Sequence, residues 1–136
     1  MKIQRFEDLQ CWQLARRLTN RVYDVWEALP KGADFVLRWQ MVAASGSCMH
    51  NIAERFDADT KPEFVRFLRM AKRSFTEVQS QLYLSVDRGY IGRDDFAEMY
   101  ELARLGRAKT WALIKSLRAQ IASSNTSASP TAIVTS

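Results

Sequence analysis

Few residues in this chain are equipped for chemistry. The sequence holds a single histidine, His50. It stands four residues before Glu54, so the two are neighbours on one helix face and form the one pairing that could share a metal ion. Carboxylate-bridged metal bundles draw Glu-x-x-His pairs from two helices, and with one histidine too few ligands remain to complete such a site. The expectation for His50 and Glu54 is a local hydrogen-bonded or solvated pair, with no metal and no cofactor. Cys48 lies two residues from His50, roughly 200° away around a helix, so a Cys–His nucleophilic pair is not expected. A serine triad would need a positioned base, and only His50 is available. No glycine-rich phosphate loop or Walker pattern occurs. The chain is therefore expected not to be an enzyme.

Two other groupings have meaning. Asn51 and Glu54 are spaced i, i+3, and Glu77 and Gln81 are spaced i, i+4, so each pair shares a helix face. Buried polar groups need partners, and these four are expected to form a structural network between two helices rather than a binding site. The basic residues are the stronger functional lead. Arg66, Arg69, Lys72 and Arg73 make one stripe, with no acid from Phe64 to Thr76. Arg104, Arg107, Lys115 and Arg118 make a second, looser one. Acids gather near helix starts instead, at Asp8, Asp34, Glu63, Asp94 and Asp95. A basic stripe can track a phosphate backbone; the competing interpretation is a solvated face that complements helix C-terminal ends.

The elements that must position these residues are helices. Apolar residues recur every three or four positions in Leu9, Trp12, Ala15, Leu18, Val22, Val25 and Leu29, which predicts a helix over 8–29, with Asp8 at its start. The Pro30–Gly32 turn ends it. A second helix is predicted over 34–57. Phe35, Trp39, Val42, Gly46, Met49 and Ala53 line one face of it, and Leu37, Met41, Ala44, Cys48 and Ile52 lie beside them. As the most apolar helix, it is expected to be central. Its run of six small residues, Ala43 to Cys48, includes a glycine that costs roughly 1 kcal/mol in a helix. Close packing of a neighbouring backbone at that run is the expected compensation. Thr60-Lys61-Pro62-Glu63 is a start signal for a third helix reaching about Arg88, with Gly89 as terminator. A fourth is predicted over 94–122, with Phe96, Met99, Ala103, Gly106, Thr110, Leu113, Leu117 and Ile121 inward. Residues 123–136, Ser/Thr-rich and uncharged, are expected to be a disordered tail. Long helices joined by short loops predict an all-α, antiparallel up-and-down four-helix bundle over residues 1–122.

The 136 residues suit one domain. Twenty Lys and Arg against fifteen Asp and Glu give a net charge of +5, which permits contact with nucleic acid without requiring it. The two cysteines, Cys11 and Cys48, make no disulfide framework and fit a reducing compartment. No signal peptide or membrane span is evident, so a soluble cytoplasmic protein without membrane association is expected.

Several motifs in this order match a known pattern: Phe6-x-Asp8-Leu9-x-x-Trp12-x-x-Ala15, Tyr23, Pro30, Phe35-x-Leu37-x-x-Gln40, Ser47-x-x-x-Asn51-Ile52-Ala53-Glu54, Phe64-x-x-Phe67-Leu68-x-x-Ala71 and Ser74-x-x-Glu77. The chain, over about residues 6–120, resembles the four-helix-bundle family first noticed in intervening sequences of bacterial 23S ribosomal RNA genes. Accessory variability proteins of diversity-generating retroelements are similar to that family. The resemblance implies a small up-and-down bundle, assembly as a homopentamer, and no known catalysis. For the retroelement branch it implies a basic surface for RNA or DNA and a reverse transcriptase partner. The chain departs from the pattern at four places. Val42 and Ala43 stand where an arginine pair is usual, and Arg55 and Arg73 stand where glycines are usual. The basic surface is therefore expected at Arg55 and along Arg66, Arg69, Lys72 and Arg73. A protein-interaction scaffold that binds no nucleic acid is the alternative function.

Overall fold

The computed structural model describes residues 5–135; the side chains of residues 55, 56 and 126–136 are outside what it describes. A short 3-10 turn, Phe6–Asp8, precedes four helices: α1 (Gln10–Glu27), α2 (Phe35–Ala53), α3 (Lys61–Asp87) and α4 (Arg93–Thr135). A second 3-10 turn, Glu54–Asp57, follows α2. Each helix packs on the next, and α1 packs on α4, which closes a four-helix bundle. The expected all-α up-and-down architecture is what is found.

The helix ends show how local sequence sets the elements. α1 begins two residues later than expected, because Phe6–Asp8 winds into the 3-10 turn and the Leu9 N–H donates to the Phe6 carbonyl at 3.0 Å. Asp8 therefore makes no cap; Leu9 takes the cap position. Asp34 does cap α2, accepting from the Leu37 N–H at 3.2 Å. α2 stops at Ala53 rather than at Asp57, its last residues tightening into the second 3-10 turn. Thr60 caps α3 by accepting from the Glu63 N–H at 3.2 Å, while Glu63 accepts from the Asp59 N–H at 3.0 Å. Gly89 ends α3 at φ 76°. Its N–H donates to Val86 and that of Tyr90 to Ser85, the paired bonds of a Schellman motif. α4 runs on to Thr135, past the helix end expected near 122 and through most of the stretch expected to be a disordered tail.

Trp26, Phe75, Leu18, Met41, Ile52, Leu68, Leu82, Met99 and Ile114 fill the core. Two expectations for α2 are corrected. It is not the central helix: Leu37, Met41, Ala44, Ser45, Cys48 and Ile52 face inward, but Phe35, Val36 and Trp39 are 67%, 64% and 63% exposed. Nor does Gly46 mark a tight crossing. A Cβ built there would meet only the ring of His50, on its own helix, at 3.7 Å. The glycine that close packing demands is Gly106 on α4, where a Cβ would reach to 2.5 Å from Phe75 Cζ. Only the inward half of the small-residue run does the expected work, as Thr19 of α1 donates to the Ser45 carbonyl at 3.0 Å.

Candidate nucleic-acid interface

The buried stripe of α3, Phe64, Val65, Leu68, Ala71, Phe75, Val78 and Leu82, fixes the rotation of the helix in the bundle. Arg66, Arg69 and Arg73 are thereby turned to solvent, and Lys72 sits half-buried at the edge facing α4. There the Lys72 ammonium lies over the ring of Trp111, 4.7 Å from its centroid. Lys115, one turn further along α4, places its own ammonium over that ring at 5.7 Å. Arg69, Lys72, Arg73 and Trp111 line a hollow of about 430 Å³. Arg107 ties the two helices beside it, donating from Nε to Thr76 Oγ1 at 2.9 Å.

The surrounding charge is mostly positive, with Glu77, one turn beyond Arg73, an exposed acid on α3. α3 has no acid from Phe64 to Thr76, and the chain has none after Glu101. Arg104, Trp111 and Arg118 are seven residues apart on α4 and so share a face. Glu101, the last acid, is already paired, accepting from Arg104 Nε at 2.8 Å and from Nη2 at 2.5 Å. The Arg104 guanidinium holds the Glu101 carboxyl below the usual carboxylate range. Like charges gathered with little local compensation raise the potential of a surface toward polyanions.

Of the five expected contact residues, the structure brings three together: Arg69, Lys72 and Arg73. Arg66 turns aside, its guanidinium lying 5.3 Å from the centroid of the Phe67 ring. Arg55 lies outside the described side chains. Trp111 was not among the residues expected at this surface. Its spacing against the core residues of α4 makes it a flanking residue, and only the packing of α4 on α3 reveals that it meets Lys72.

The polar network takes a different form from the one expected. Asn51, Glu54, Glu77 and Gln81 are not hydrogen-bonded to one another among the described residues. Asn51 bonds back along α2 to Ser47, reaching both its carbonyl and its hydroxyl at 2.9 Å. The Ser74 hydroxyl then donates to Ser47 Oγ at 2.9 Å, and this contact links α3 to α2. Glu54 and Glu77 are exposed, so water satisfies them, whereas Gln81 Oε1 is buried without a partner. Small hydroxyls thus bridge the two helices in place of the longer side chains.

Other candidate centres are less suited to a ligand. His50 is exposed, Cys48 is buried, and burial pushes the Cys48 thiol well up. No three His, Cys, Asp or Glu side chains cluster as metal ligands would among the described residues. No helix there is long and apolar enough to cross a membrane. A larger hollow, about 700 Å³, opens along α1 beside α4 and is lined by Trp12, Arg16, Arg17 and Arg21. Its charges are mixed: Arg5, Glu7 and Glu98 also line it, and Arg16 lies over the Trp12 ring at 5.7 Å. Arg21 is held by Glu98 at 2.6 Å and Asp95 at 2.8 Å, and Arg5 pairs with Glu7 at 3.4 Å. Volume favours this hollow; a lining without acids favours the one on α3 and α4.

Comparison with known proteins now adds to the geometry. Residues 7–109 match the family model described as 23S rRNA-intervening sequence protein. The chain belongs to this family. A solved structure from Bacteroides thetaiotaomicron VPI-5482, a protein of unknown function from the S23 ribosomal protein family, is similar in fold. Its TM-score is 0.72 at 20% identity, covering 77% of this chain and 95% of that one. None of the curated proteins matches the chain.

Within the 23S rRNA-intervening sequence family match lie Arg69, Lys72, Arg73 and Arg107. Trp111 and Lys115 fall just beyond it. The hollow therefore joins family-matched residues of α3 to a part of α4 that the family model does not reach.

Proposed function

We propose that this member of the 23S rRNA-intervening sequence family is a non-enzymatic, oligomeric helical bundle that binds RNA or DNA through the outward face of α3 and α4. One observation carries this reading: Arg69, Lys72 and Arg73 converge with Lys115 around Trp111 on a surface free of nearby unpaired acids on α4. Cations so placed displace the counterions condensed on a phosphate backbone, and the affinity they give falls steeply with salt. The test is binding of labelled RNA and DNA across a salt series. Replacing Arg66, Arg69 and Arg73 by Glu is expected to abolish binding, and unchanged affinity in that variant overturns the proposal.

The outward face of α2 supports the oligomeric part. From Trp39 to Ala53 the helix carries no Lys, Arg, Asp or Glu, and Phe35, Val36 and Trp39 stand out into solvent. An apolar face of this kind calls for cover, and we assign that cover to further copies of this chain, in a pentamer as the family resemblance implies. A ring would repeat the basic face around its circumference. The cellular role we propose is that of an accessory to the reverse transcriptase of a diversity-generating retroelement, or to an rRNA intervening element. The same α2 face favours the second reading, a scaffold for a different protein. Capture of a specific protein partner that survives nuclease treatment, together with no salt-sensitive nucleic-acid binding, would favour the scaffold.

A further inference from the structure

Trp111 gives the α3–α4 face something a purely electrostatic surface lacks. Its indole is half-exposed at the mouth of the hollow, and two ammonium groups from different helices hover over it. Arg69 and Arg73 line the same hollow from α3. At about 430 Å³ its volume falls among pockets that hold small organic ligands, roughly 300–1,000 Å³. An aromatic platform set among cations is the arrangement by which single-stranded nucleic acid is held, bases stacking on rings and phosphates meeting Lys and Arg.

Resting on the nucleic-acid reading above, we infer that Trp111 stacks an unpaired nucleobase, so that the α3–α4 face takes single-stranded nucleic acid in preference to duplex. The lysines over the ring do not block this. A lysine stem is flexible and its ammonium is a point charge with rotatable donors. When a strand enters, Lys72 and Lys115 swing from the ring to flanking phosphates while a base takes the vacated face. Base–aromatic stacking, together with the new contacts of the two lysines to phosphate, offsets the two lysine–ring contacts it replaces. Arg69 and Arg73, planar and always charged, clasp the adjoining phosphates. In a duplex the faces of the bases are covered by their neighbours, so a duplex meets only the cations and gains nothing from Trp111.

The experiment compares the full chain with three variants on one labelled oligonucleotide of about 20 nucleotides, single-stranded and annealed, at matched salt. Wild type is expected to bind the single strand more tightly. Trp111→Leu is expected to lose about tenfold on the single strand and to leave the duplex affinity unchanged. Arg69→Glu with Arg73→Glu is expected to weaken both. Because Trp111 also packs against the core, a second readout does not depend on removing it. In a Trp12→Phe, Trp39→Phe chain, Trp26 is buried and Trp111 is the remaining accessible indole. The single strand is expected to quench its emission and the duplex to leave it unchanged. Equal affinity for the two forms, or no strand-specific quenching, overturns the inference and leaves the nucleic-acid reading standing. No binding of either form by wild type overturns both.

Discussion

Two outward faces of this bundle are alike in exposure and opposite in chemistry. α2 presents Phe35, Val36 and Trp39 above a stretch without a single formal charge from Trp39 to Ala53. α3 and α4 present Arg69, Lys72, Arg73 and Lys115 around one indole, and α4 bears no acid beyond Glu101. An uncharged apolar face gains free energy by leaving water; a face of like charges gains by meeting an opposite one. On the reading proposed above, the first meets another copy of the chain and the second a phosphate backbone. Exposure alone distinguishes neither, and each face becomes legible only through the sign and spacing of what it exposes.

The contrast can be broken from either side. Reversing Arg69 and Arg73 to Glu should have the largest effect, lowering nucleic-acid affinity by about a hundredfold or more at low salt. Thermal unfolding should show stability within about 0.5 kcal/mol of wild type, since both side chains are at the surface. Placing a charge on the other face, Trp39→Glu, should dissociate the oligomer in light scattering. It should weaken binding to long strands by about tenfold, through lost multivalency and not through lost contacts. If Trp39→Glu leaves the assembly intact, α2 is not the face that joins subunits.

Glycines sharpen the comparison at smaller cost. Gly106→Ala drives a methyl into the Phe75 ring and should destabilise the chain by about 1–3 kcal/mol in urea, despite its gain in helix propensity. Gly46→Ala meets no such obstacle within the chain and should stabilise a dissociated subunit by about 1 kcal/mol. Opposite signs are the expected result, and equal signs would place the tight crossing elsewhere.

The smallest expected effect lies at the end of the basic face. Glu101→Gln frees Arg104 and should tighten binding by about twofold at low salt. The same release is expected on acidification. The Glu101 carboxyl titrates below its ordinary value of 4.5 because Arg104 bonds its charged form. The pair is thus intact above that pH and is lost as pH falls through the lower, folded-state value.

The sequence carried the architecture because the evidence of periodicity is local. The α1 stripe Ala15, Leu18, Val22 and Val25 and the Thr60 and Gly89 boundaries of α3 are each set within one helix, and they stand as expected. The parts that eluded it depend on neighbours. Gly46 and Gly106 look alike in a helical pattern, and only the position of Phe75 tells them apart. Ser47 and Ser74 carry the link between α2 and α3, while Glu54 and Glu77 reach water; the packing of one helix on the other decides that. Trp111 acquires its meaning from Lys72, 39 positions away in the chain.

The most direct test of the central claim is the slope of log affinity against log salt for wild type and for the Arg69→Glu, Arg73→Glu variant. Engagement of Arg69, Lys72, Arg73 and Lys115 predicts a slope of about −3 to −4 for each subunit in contact, shallower by about two in the variant. An affinity independent of salt, or the same slope in both proteins, would contradict it.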